Sequence, residues 1–201
     1  TGSYGKTTIK GYIKHLASGT FSVVASPASF NNSPGLSRSV NEHLAQGTEV
    51  FIAEMGTYGR GEIADLVSWI KPSISVLASI GPVHLERFGD LDTIVEAKSE
   101  IFSTSRTAIV NIDAYGLASE ADRLQVSGID VLRCSSNDRT ADIVVLKDNQ
   151  RLEVIVSGRQ ILAGLAVDAA PTNVACAVAV AATLGIPDEV IAQRLATLPT
   201  I

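Results

Sequence analysis

Residues 1–8 read Thr-Gly-Ser-Tyr-Gly-Lys-Thr-Thr, and no other run constrains the fold as much. Gly5, Lys6 and Thr7 complete the G-x-x-x-x-G-K-[ST] phosphate loop, whose first glycine would stand one residue before Thr1. Such a loop joins a buried strand to a helix. Its backbone N–H groups turn inward on phosphate oxygens, and the helix dipole adds partial positive charge at the same point. The pattern predicts a helix over 7–17, with Ile9, Ile13 and Leu16 on one face. It also predicts a strand ahead of Thr1, and hence that residues 1–201 are cut from a longer chain; residues 195–201, stopping after a helix, read the same way.

The rest of the chain repeats a strand–helix rhythm. Apolar strand patterns fall at 20–25, 49–55, 73–80, 107–112 and 130–134. Helical patterns fall at 37–45, 62–70, from Asp90 or Asp92 to 102, and at 115–125, with loops at 26–36, 56–61 and 81–89. This alternation predicts an α/β fold of P-loop type: a mostly parallel sheet with helices on both faces. From residue 141 the rhythm changes. Strands at 141–146 and 152–156 flank Lys147-Asp148-Asn149-Gln150, which reads as a hairpin and so as a small antiparallel annex, with 160–165 as a third strand. An Ala/Val-rich buried helix at 174–184 and a last helix at 188–198, introduced by Pro187, complete the pattern.

Composition narrows the function classes. The chain is 46% hydrophobic and 18% charged, which suits a packed core. Its formal charge of −5 argues against a nucleic-acid footprint. No apolar run reaches the length of a membrane span. Cys134 and Cys176 lie far apart in sequence and form no metal-type pair, so they are expected as reduced, partly buried thiols of a cytoplasmic protein. His15 and His43 fall on predicted helices as surface or boundary residues.

Four groups of residues carry chemistry. In the loop, Gly2, Ser3, Tyr4, Gly5, Lys6, Thr7 and Thr8 would surround phosphate, with Lys6 reaching the β and γ phosphates and the Thr7 hydroxyl on Mg²⁺. Glu54 ends an apolar strand on the edge where open α/β sheets bind ligands, and would hold Mg²⁺ directly or through water. His84 lies in a glycine-bounded loop beside Glu86; neutral imidazole ligates divalent metals, and a carboxylate can orient it. Lys98 sits among acids in Glu96-Ala-Lys98-Ser-Glu100, which locally reads as a solvated helix face.

Together, "TGSYGKTT", "SFNNSPGL", "IAEMGTYGRGEI", "SIGPVHLERFGDLDTIVEAKSEI" and "IVNIDA", with the later "PTNVACAVAVAATLGIP", resemble the central ATP-binding domain of the Mur ligase family. The branch most resembled adds D-alanyl-D-alanine to a UDP-N-acetylmuramoyl-tripeptide in peptidoglycan precursor synthesis. The resemblance implies ATP and Mg²⁺ chemistry of one kind: phosphorylation of a substrate carboxylate, then attack by an amine to form an amide. It implies two Mg²⁺ ions, with His84 as a ligand and Lys98 carbamylated to hold the second. It implies that Asn31, Asn32 and Glu86 face the substrate, and that Asn111, with Asp113, lies near the nucleotide. It further implies flanking domains for the UDP-sugar and for closure over ATP, so that the 201 residues alone would be inactive. The family's later helix usually reads His-Asn-x-x-Asn and helps bind adenine; here only Asn173 of that motif is present, with Cys176 in the last place. Two alternatives stay open: a folylpolyglutamate-synthase-like or other peptide ligase, and a P-loop switch module without ligase chemistry.

Overall fold

A computed structural model describes residues 1–83 and 85–200. The phosphate-loop run enters helix α1 (Lys6–Ala17), followed by β1 (Val23–Ala25), α2 (Ser33–His43), β2 (Val50–Ile52), α3 (Glu62–Ile70) and β3 (Ile74–Leu77). A short helix α4 (Leu85–Phe88), α5 (Leu91–Ser99) and the 3₁₀ turn Glu100–Phe102 lead to β4 (Thr107–Asn111), α6 (Leu117–Val126) and β5 (Asp130–Ser135). Then come β6 (Ile143–Asp148), β7 (Arg151–Val156), β8 (Arg159–Ala166), α7 (Pro171–Thr183) and α8 (Asp188–Leu195).

The strands form a parallel pair, β1–β2, and a six-stranded sheet in the order β3-β4-β5-β6-β7-β8. The first four strands of the larger sheet run parallel and the last three pair antiparallel. The expected annex is therefore not a separate layer. It continues the main sheet, because Cys134 and Ser135 pair in parallel with Ile143 and Val144.

Each strand's pattern follows from what covers it. All five residues of β4 are buried. Ile109 packs in the core under α1, α7 and α8, whereas Ala108 and Val110 pack in the core under α3 and α6. Burial on both faces is why this strand reads as a continuous apolar run. Helix α7 buries eight consecutive residues, Val174 to Ala181, on every side; its Ala and Val side chains let it lie close to both the sheet and α1.

Three expectations are corrected. Helix α2 begins at Ser33, four residues earlier than the reading of 26–36 as loop, because Asn32 caps it by accepting from Gly35 N and Pro34 fits the first turn. The loop over 81–89 contains α4. Cys134 and Cys176, distant in sequence, meet in the core: both are fully buried, and burial first, then the Cys176 thiol, push the Cys134 thiol well above its ordinary range. Among the described residues no helix is long and apolar enough to cross a membrane.

Candidate nucleotide and metal site

The carboxyl ends of β1, β2, β3 and β4 and the start of α1 converge on one end of the sheet. Gly5 precedes α1 with φ +78° and no side-chain cap, so among the described residues no side chain accepts from the first-turn N–H groups of the helix. Lys6 curls back, its Nζ donating to Gly2 O at 2.9 Å. Burial lowers its pKa, with the nearby Glu54 charge acting in the opposite sense.

The loop is braced from the β3 tip. Ser79 Oγ accepts from Tyr4 N at 2.8 Å and donates to Tyr4 O at 2.9 Å, and Ser3 Oγ accepts from Gly81 N at 2.9 Å. The Tyr4 ring lies on Gly81, where an added Cβ would come within 2.4 Å of Cε2. Asn173, in the first turn of α7, lies against the loop's other side: a Cβ on Gly5 would fall 2.6 Å from Asn173 Oδ1. Gly5→Ala therefore meets both a left-handed backbone and a polar clash. It is expected to cost about 1–3 kcal/mol and to weaken nucleotide binding, measured by thermal unfolding and by fluorescent-nucleotide titration.

Glu54 is the centre of the acid site. Its side chain is almost fully enclosed. Thr7 Oγ1 donates to Glu54 Oε2 at 3.0 Å, Asn31 Nδ2 donates to Oε1 at 3.2 Å, and Lys10 Nζ pairs with Oε2 at 2.9 Å. Ser26 Oγ accepts from Glu54 N at 3.2 Å, tying the tips of β1 and β2 together. Burial alone would favour the neutral acid. The bonds from Lys10, Asn31 and Thr7 outweigh it and leave the carboxyl pKa below its ordinary value. The group is thus an anion held beside the phosphate loop, and one acid with a threonine hydroxyl is a donor set that suits Mg²⁺, which keeps waters and takes phosphate oxygens. Among the described residues no three His, Cys, Asp or Glu side chains gather into a metal-type cluster. His84 lies outside the described residues.

Lys98 overturns its local reading as a solvated face. It is 3% exposed on α5, no described side chain bonds its Nζ, and burial first, then the Lys6 charge, lower its pKa to about 8. Glu100, from the same run, accepts from Gly61 N and Ala64 N and so closes the amino end of α3. The other expected residues divide. Asn31 joins the site through Glu54, whereas the Asn32 side chain is spent on its cap. Asn111 is buried, with Nδ2 on Ala78 O at 2.8 Å and Oδ1 accepting from Asp113 N; it holds the tips of β3 and β4 together. Asp113 itself accepts from Ser136 and Asn137. Glu86 is exposed on α4.

Lys10 and Ser26 were not singled out from the sequence. Lys10 had a signal: it stands three residues after Thr7, one helical turn along the same face. Ser26 had none, since its role depends on which strand tips become neighbours.

The sequence pattern described as the Mur ligase middle domain matches residues 1–182. The UDP-N-acetylmuramoyl-tripeptide–D-alanyl-D-alanine ligase of Mycobacterium bovis is 31% identical over 208 aligned positions that take in the whole chain and 41% of that protein. The enzyme of the same name from Rickettsia prowazekii is 43% identical over 114, covering 55% of the chain and 25% of that protein. A crystal structure of MurF ligase from Thermotoga maritima in complex with ADP superposes on the whole chain and 47% of its own length, with a TM-score of 0.85 and 26% identity. The chain thus spans less than half the length of each.

Proposed function

From the premise that this chain belongs to the Mur ligase family, as its middle domain, we propose that it is the ATP-binding part of an amide-forming ligase in peptidoglycan precursor synthesis. The proposed reaction adds D-alanyl-D-alanine to a UDP-N-acetylmuramoyl-tripeptide. The observation that carries this reading is the 3.0 Å bond from Thr7 to Glu54, which sets a hydroxyl and an anion together at the end of a phosphate loop.

In this reading the N–H groups around Gly2 to Lys6 and the Lys6 ammonium bind the ATP phosphates. Thr7 and Glu54 hold Mg²⁺, which when bound neutralises charge on the phosphates. The tripeptide's terminal carboxylate takes the γ-phosphoryl group and ADP leaves. The amine of the dipeptide then attacks the acyl phosphate, the amide bond forms, and phosphate departs with loss of a proton from nitrogen. His84 and a carbamylated Lys98 are assigned to a second Mg²⁺; carbamylation needs a neutral amine, which a pKa of about 8 supplies in quantity near neutral pH. Asn173 is assigned to the nucleotide side of the phosphate loop, and Asn31 and Glu86 to the substrate side. Flanking domains that hold the UDP-sugar and close over ATP belong to the same proposal, as does a cytoplasmic location.

The test is ADP release by the full-length protein. It is expected only with both the UDP-muramoyl-tripeptide and D-alanyl-D-alanine present. Release stimulated instead by glutamate and a folate would move the protein to the folylpolyglutamate branch. Release with no acceptor would overturn the ligase reading in favour of a nucleotide switch.

A further inference from the structure

We propose that Ser79 is a positioning residue for the phosphate loop: by holding the Tyr4 peptide group it aims the Gly5 N–H at the bound phosphate. This rests on the reading of residues 2–7 as a phosphate loop, and not on the ligase reaction proposed above.

Two serines lace the loop to the tip of β3, each gripping the other's segment. Ser79 Oγ accepts from Tyr4 N at 2.8 Å and donates to Tyr4 O at 2.9 Å. Ser3 Oγ accepts from Gly81 N at 2.9 Å and donates to Gly81 O at 3.3 Å. Ser3 N also donates to Ser79 O at 3.0 Å. The approach is close, since a Cβ on Gly2 would stand 3.0 Å from Ser79 Oγ and 3.2 Å from Ala78 Cβ. A hydroxyl suits this place because it carries one donor and two acceptor lone pairs.

These bonds sort the donors of the loop. The N–H groups of Ser3 and Tyr4 are spent on residue 79, so they do not serve a phosphate. Among the described residues nothing accepts from the N–H groups of Gly5, Lys6, Thr7 and Thr8. The bond to Tyr4 O then fixes the first of these. A trans peptide is planar, with its C=O and N–H pointing in opposite directions. With Tyr4 O turned onto Ser79, the Gly5 N–H points away from the brace, free to join the first-turn donors of α1 on an anion. Without the hydroxyl, the Tyr4–Gly5 peptide loses its hold, and glycine resists rotation least of all residues.

The test uses the full-length protein and ADP alone. Ser79→Ala is expected to weaken ADP about tenfold in a fluorescent-nucleotide titration, while the unfolding midpoint falls by no more than about 5 °C. Ser79→Thr keeps the hydroxyl and should bind within about threefold of wild type. Ser79→Cys keeps the size but is weak as donor and acceptor, so it should behave as Ser79→Ala does, and it carries the same expectation if Ser79→Ala does not fold. The Gly5 amide resonance should move on ADP addition in wild type and Ser79→Thr only. Equal ADP affinity in every variant, affinity that follows side-chain size with Ser79→Cys matching wild type, or a Gly5 amide that responds without the hydroxyl overturns the proposal. Wild type that binds no ADP overturns it together with the phosphate-loop reading. Wild type that binds ADP but forms no amide sinks the ligase reading alone, and the ADP titration still decides the role of Ser79.

Discussion

Glu54→Ala should lower stability by about 3–5 kcal/mol, far more than the loss of an exposed acid. The reason is Lys10. Its ammonium is enclosed, with Glu54 Oε2 at 2.9 Å and the Ala28 carbonyl as its partners, and without the acid it becomes a buried charge held only by a carbonyl. Thr7 and Asn31 lose their acceptor at the same time. Adding Lys10→Met should recover most of the stability, because both charges then leave together, but none of the catalysis. In the full-length enzyme, Glu54→Ala and Glu54→Gln should each reduce Mg²⁺-dependent ADP formation by on the order of 10²–10³. Urea unfolding of the single and double variants separates the two effects. A pH series adds a check of sign. The Glu54 pKa is depressed in the fold, so its contribution is present at neutral pH and is lost as pH falls through the folded value. Wild-type stability that Glu54→Ala leaves unchanged would refute the account.

Much of this arrangement was legible because the signals were local. Gly61 and Pro72 bracket α3, which runs over the expected 62–70. The strand over 107–112 differs from β4 by a single residue. Glu54 was found from its place after an apolar strand. What escaped depends on pairing in space. Lys98 among acids is a surface pattern until the chain folds α5 back on the phosphate loop, after which it is a core residue. Asn31 and Asn32 are indistinguishable in sequence, yet one turns to Glu54 and the other caps α2. The meeting of Cys134 on β5 with Cys176 on α7 likewise has no local marker. The part played by Ser79 shows only in the structure: its hydroxyl both accepts from and donates to the Tyr4 backbone.

Lys98→Met should raise the stability of the isolated chain at pH 7 and abolish most turnover in the full-length enzyme. The Lys98 ammonium is buried, and its pKa falls from 10.5 to about 8. Below pH 8 both folded and unfolded states carry the proton, and the cost of burying it is complete. Between about pH 8 and 10.5 the folded state sheds its proton first, so stability rises with pH there and levels off above. At about 1.4 kcal/mol per pH unit, that window is worth on the order of 3 kcal/mol. Lys98→Met should remove the rise, and Thr1 cannot mimic it, since its amine titrates between about 5 and 8. Bicarbonate offers a second readout. Attack of the neutral amine on CO₂ releases one proton and converts a repelled cation into an anion facing Lys6, so wild type should gain stability in bicarbonate at pH 8 and show a ¹³C carbamate resonance that Lys98→Met lacks. The same variant should lower ADP formation by on the order of 10²–10³. A wild-type pH profile that is flat from 8 to 10.5, with no carbamate signal, would mean that Lys98 carries neither the strain nor the chemistry assigned to it.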